Sequence, residues 1–183
     1  MSVEHVQAEE RVSIGSLVGR LAQRLTDRTF PTGEHAALRR LRTDGPDLRH
    51  AVALYRLMEL AGISTSDPDG VRRWAAIINA LALCRGEHRP DRRVGAVLYA
   101  ANFSEARLAA LLAADRDTLI DLLPRVARRL YAAGEPMDWR PLATLVLVIG
   151  RDDARADEIR RHIARDYVRA ESRLSSQNQQ PVA

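Results

Sequence analysis

The sequence contains no lysine; all 28 of its basic residues are arginines. Codon preference in a GC-rich genome is a sufficient cause, but the physical consequence stands whatever the cause. A guanidinium keeps its charge when buried, and its planar fork fits phosphate oxygens. Aromatic residues make up only 4% of the chain, while Ala and Leu abound, which favours helices over a β-sandwich. A single cysteine, Cys84, excludes an internal disulfide and any cysteine-based zinc site. No apolar run approaches the ~20 residues needed to span a bilayer. The opening stretch "MSVEHVQAEE" lacks the basic start and apolar core of a signal peptide. These absences predict a cytoplasmic protein that does not use a membrane.

Catalytic signatures are missing as well. No glycine-rich phosphate loop occurs, and His5, His35, His50, His88 and His162 never pair at metal-ligand spacing. Asp152, Asp153, Asp157 and Glu158 form an acidic cluster, but acids are favoured at a helix start and gain i, i+4 partners such as Arg161 with Asp157. Asp115 and Asp117 flank Arg116 in a corner where capping accounts for both acids. The expectation is a protein that is not an enzyme and holds neither cofactor nor metal.

What is present is a succession of amphipathic helices in a chain of 183 residues, enough for one domain or two small lobes. "RVSIGSLVGRLAQRL" spaces its apolar residues by threes and fours. "EHAALRRLR" is a short helix with Leu38 and Leu41 inward. Pro46 suits the first turn of a helix running to Ala61, and an Ala/Ile/Leu-rich helix spans Val71 to about Leu83. After "CRGEHRPDRR" comes a helix through "VGAVLYAAN", and then Ser104 caps one carrying Arg107. Leu108, Leu111 and Leu112 of that helix should be buried, with Arg107 at the rim. "DRDTLIDLLPRVARRLYAAG" ends at Gly134, with Pro124 predicting a kink or a restart. "TLVLVI" reads as helix or strand, and its helical neighbours favour helix. A last helix runs from about Asp152 to Glu171. The fold class is therefore all-α, a bundle of eight or nine helices. It occupies residues 12–171, with a possible lobe boundary near 85–91, a flexible stretch 1–11 and a disordered tail 172–183. Cys84 reads as a small core residue, and Trp74, Tyr55 and Tyr99 fall inside apolar stripes.

Charge is unevenly spread although the net value is only +4. Residues 72–93 hold Arg72, Arg73, Arg85, Arg89, Arg92 and Arg93 against Glu87 and Asp91. Arg39, Arg40 and Arg42 follow Glu34 with no further acid, and Arg125, Arg128 and Arg129 have none beside them. The final helix nearly balances its charges. Three acid-poor clusters beside one neutral helix point to a basic face for a polyanion, met through phosphates because few rings are available for stacking.

An ordered set of elements carries a resemblance. It consists of "AALRRLR" (36–42), "LYRLMELAG" (54–62), "NFSEARLAALLAADRDTL" (102–119), "RRLYAAGEPMDW" (128–139) and a closing "RDYVRAE" (165–171). In this order and spacing the chain resembles the CasB family, the small subunit of the type I-E CRISPR surveillance complex Cascade. The resemblance implies an all-helical, non-catalytic protein that pairs with a second copy of itself. It would lie among the large and backbone subunits along the duplex of crRNA and target DNA, holding the strands of the R-loop. It further implies that Arg39, Arg40, Arg107, Arg116 and Arg128 occupy positions where the family carries basic residues for nucleic acid. Arg42, Arg72, Arg73, Arg92, Arg93 and Arg125 are candidates on charge clustering alone. Arg107, Arg39, Arg40 and Arg128 are expected to line one continuous groove. The rival reading is a helical DNA-binding regulator or a protein-only adaptor. For the former, "ELAGISTSDPDGVRRWAAII" comes nearest to a helix-turn-helix, though its second helix is very apolar beyond Arg73.

Overall fold

The computed structural model describes residues 13–42 and 48–178. Among them run nine α-helices: α1 (Ile14–Thr26), α2 (Thr32–Arg39), α3 (Leu48–Ala61), α4 (Pro68–Leu83), α5 (Val94–Ala100), α6 (Glu105–Ala113), α7 (Arg116–Ala133), α8 (Arg140–Val148) and α9 (Asp153–Asn178). The described residues contain no strand, only an isolated backbone bridge between His88 and Met137. The all-α bundle expected from the sequence is the fold observed.

Capping chemistry sets several helix starts. Side-chain oxygens of Ser13, Asp67, Ser104 and Asp115 accept the backbone N–H of Ser16, Asp69, Arg107 and Thr118. Gly134, at φ +66°, closes α7 in the left-handed conformation. Pro124 does not restart the helix: α7 is continuous across it. Its buried face (Leu119, Ile120, Leu123, Val126, Ala127 and Leu130) supplies packing that outweighs one lost backbone hydrogen bond. "TLVLVI" is helical within α8, where Leu142, Ala143, Leu145 and Val146 are buried.

Two expectations need correction. Residues 172–178 of the expected disordered tail belong to α9, in which Ser172, Ser175 and Ser176 satisfy their hydroxyls on the carbonyls of Val168, Glu171 and Ser172 one turn back. Tyr55 is not inside an apolar stripe but 43% exposed on α3. The expected flexible stretch 1–11 lies outside the described residues.

α4 is the centre of the bundle, packed against α1, α2, α7 and α8. Residues 73–84 are all buried. Asn79 Nδ2 donates to the Leu38 carbonyl at 2.8 Å and so ties α2 to α4. Cys84 is a core residue as expected: its thiol donates to the Ala127 carbonyl, and burial pushes its pKa up to about 12. Buried side chains from Val18 to Tyr167 form one continuous cluster, so the polar segment 85–91 does not divide the core. α5 lies directly on α9. A Cβ on Gly95 would sit 2.1 Å from the Ile163 carbonyl oxygen, so only glycine permits that approach.

Candidate nucleic-acid interface

The structure sorts the candidate arginines into two groups. The first is engaged with the protein itself. Arg73 is 2% exposed, and its Nη1 donates to the carbonyls of Val146, Leu147 and Ile149 at 2.7, 3.1 and 2.9 Å, capping the end of α8. Its Nε meets Asp69 at 2.8 Å. Arg73 is therefore a structural residue with no surface to offer a phosphate, which corrects the expectation from charge clustering.

Around it, Asp69 also receives Arg116 and Arg151, Asp67 receives Arg151, and Asp117 receives Arg72 at 2.8 Å and Arg116 at 3.1 Å. This network fastens the starts of α4 and α7 to the α8–α9 turn. Burial pushes the Asp69 carboxyl up, but the Arg73 hydrogen bond and the charges of Arg73, Arg116 and Arg151 hold it below the usual carboxylate range. Hydrogen bonds from Arg151 and from Arg116 lower Asp67 and Asp117 in the same way. Arg92 pairs with Glu135, and Arg93 with Asp166 at 3.3 Å. Arg42, exposed just beyond α2, is not without partners either.

The second group is open. Arg39 and Arg40 at the end of α2, Arg107 in the first turn of α6, and Arg125 and Arg128 on α7 are all exposed. Among the described residues their side chains make no hydrogen bond or ion pair. Leu108 and Leu111 beneath Arg107 are buried and Leu112 is partly so, which is the rim position expected for Arg107. Arg129 donates to the carbonyls of Ala101 and Asn102 and so holds the α5–α6 turn against the second half of α7.

Arg85 belongs to the basic surplus of residues 72–93. It is exposed, has a left-handed φ of +53°, and places its guanidinium 5.5 Å from the ring centre of Tyr131 on α7. Burial lowers the His35 pKa and the charges of Arg39 and Arg85 lower it further, so both arginines lie in the electrostatic neighbourhood of the same α2 imidazole. No sequence signal marks this link, because Arg85 and Tyr131 meet only through the packing of α4 on α7.

The acidic start of α9 is used locally. Asp152 accepts the Arg155 N–H, Asp153 the Gly150 N–H, Glu158 pairs with Arg155, and Asp157 pairs with Arg160 at 3.0 Å rather than with Arg161. Among the described residues no group of three or more His, Cys, Asp or Glu could hold a metal, and no helix is long and apolar enough to cross a membrane. The second helix of the helix-turn-helix candidate is α4, buried along nearly its whole length.

Comparison with known proteins gives a consistent result. No curated protein matches the chain significantly. A solved structure, CasB from Thermus thermophilus, is 21% identical and superimposes with a TM-score of 0.63, covering 84% of this chain and 97% of its own. That likeness shows a shared fold. The family model for the CRISPR-associated protein Cse2 matches residues 34–167, a span that runs from α2 into α9 and includes every open arginine. The chain belongs to the CRISPR-associated Cse2 family.

Proposed function

We propose that the chain is the non-catalytic, nucleic-acid-binding small subunit of a type I-E Cascade complex. In this reading it sits with the large and backbone subunits and a second copy of itself. It steadies the duplex of crRNA and target DNA and the strands of the R-loop through arginine–phosphate contacts. The observation that carries the reading is the open group: Arg39, Arg40, Arg107, Arg125 and Arg128 are exposed and, among the described residues, pair with no acid, while the other candidates are mostly consumed in ion pairs. A guanidinium in that state exchanges only water and counterions for phosphate, so binding follows counterion release and weakens steeply with salt. A duplex-reading regulator is disfavoured because α4, its would-be recognition helix, is buried.

The test is the quadruple replacement Arg39→Ala, Arg40→Ala, Arg107→Ala and Arg128→Ala. Exposed charges contribute little to stability, so the melting temperature should stay nearly unchanged. Affinity for single- and double-stranded nucleic acid should fall, and the salt slope should drop by roughly one per lost phosphate contact. In a reconstituted complex the R-loop should dissociate faster. An unchanged R-loop lifetime would mean that these arginines only solvate helix edges. A wild-type chain with no salt-dependent binding would mark a protein-only adaptor.

A further inference from the structure

Between the second half of α1, the segment following α4 and the end of α7 lies an open groove of about 930 Å³. Gly19, Ala22, Gly86 and Gly134 are among its small lining residues, and nothing lies within 4 Å of where a Cβ on Gly19 or Gly134 would be. Tyr131 lines it as an exposed ring. α7 turns its apolar face inward through Leu130, and Tyr131, about 100° further round the helix, is left outside. Arg85 stands over that ring, and the left-handed backbone that puts it there is a conformation an arginine adopts only when its surroundings impose it. Arg128 is one turn before Tyr131, and Arg125 one turn before that, both open. The groove thus has an aromatic ring at one wall with the Arg85 guanidinium against it, Arg89 and Glu87 in its lining, and Arg128 and Arg125, without ion pairs among the described residues, further back along α7.

We propose that this groove is a stacking site for an unpaired nucleobase of a single strand whose phosphates follow Arg125, Arg128, Arg85 and Arg39. The inference rests on the nucleic-acid reading above and deepens it. Phosphate contacts alone treat single and double strands alike, whereas a π-face can be used only by a base free of its partner. Arg85 serves twice, as a charge for the backbone and as a plane beside the ring. The bases enter without sequence preference, since every base has a π-face.

The experiment uses the full chain with a fluorescently labelled oligothymidine, a duplex of equal length, and an oligonucleotide carrying 2-aminopurine. Tyr131→Leu should weaken single-strand binding about tenfold, leave duplex binding and melting temperature unchanged, and abolish the 2-aminopurine quenching seen with the wild type. Tyr131→Phe should restore all three, because the ring and not the hydroxyl does the stacking. Gly19→Leu should fill the groove from the α1 side and reproduce the single-strand loss without touching Tyr131. Wild-type salt-dependent binding to both forms, combined with a Tyr131→Leu variant that keeps its single-strand affinity and quenching, overturns the stacking site and leaves the phosphate reading standing. Absence of any binding by the wild type overturns both.

Discussion

At its start, α7 carries Arg116 between Asp115 and Asp117; on its second half it carries Arg125 and Arg128. The residue type is the same and the helix is the same, yet Arg116 is locked onto Asp117 and Asp69 while Arg125 and Arg128 form no hydrogen bond or ion pair with their side chains among the described residues. The difference lies in what the neighbouring elements deliver. The start of α7 packs beside the start of α4, which brings Asp69 and Arg72, and beside the α8–α9 turn, which brings Arg151. The second half meets Arg85 at Tyr131 and the α5–α6 turn at Arg129, and among the described residues no ion pair is formed by Arg125 or Arg128. A guanidinium beside a fixed carboxylate is already satisfied; one without it is available to a polyanion. The count of arginines in a stretch therefore says little about binding until the acids from other elements have been placed.

Three measurements press on this contrast. The largest effect is expected from Arg73→Met, which removes the buried anchor of the engaged end. It strips three α8 carbonyls of their donor and leaves Asp69 short of a partner, a loss of about 3 kcal/mol read by chemical denaturation. The folded fraction should bind nucleic acid as the wild type does. A loss of affinity in folded protein would mean that Arg73 acts at the interface after all.

Asp117→Asn attempts the conversion of one end into the other. Arg72 and Arg116 would lose an acid partner, so the melting temperature should barely move, while affinity for duplex DNA and the steepness of its salt dependence should rise. Unchanged binding would show that position along α7, and not freedom from acids, distinguishes the two ends.

Acid titration gives the smallest and most selective effect. Asp67, Asp69 and Asp117 all have folded-state pKa values below the ordinary one. Their contribution is fully present above the unfolded-state value of about 3.9 and is lost as pH falls through the lower folded values. Thermal melts should lose some stability between neutrality and about pH 5, where protonation of His35 and His88 favours the unfolded chain, and lose more below about pH 4 as these carboxylates protonate. Asp69→Asn should show a shallower loss over that range. Equal slopes for variant and wild type would remove the network as the source.

Much of the fold is readable along the chain because its causes are local. Ser104, Asp115 and Gly134 mark helix ends through side-chain and backbone chemistry that acts within four residues. The Leu108–Leu111 stripe exposes its own inner face, and Arg107 follows at the rim. Pro124 does not end α7 and the serines after Glu171 do not end α9: the packed face of α7 carries that helix through the proline, and the serine hydroxyls find carbonyls one turn back along α9. Arg72 looks in sequence like Arg39, Arg40 and Arg128, since Asp117 reaches it from 45 positions away; Arg116 and Arg73 have acids within four residues, but Asp69 reaches Arg116 from 47 positions away and the α8 carbonyls reach Arg73 from 73 to 76 away.

The sequence by itself determined the helices, their caps, the apolar stripes that must turn inward, and an arginine inventory suited to phosphate, since each depends on neighbours within a turn or two. Only the tertiary structure decided which arginines are spent. Packing α4 on α7 and α8 buries Arg73 against carbonyls, gathers Arg72 and Arg116 onto aspartates, and sets Arg85 on Tyr131. Coulomb attraction and hydrogen bonding act across a few ångströms of space and are indifferent to distance along the chain.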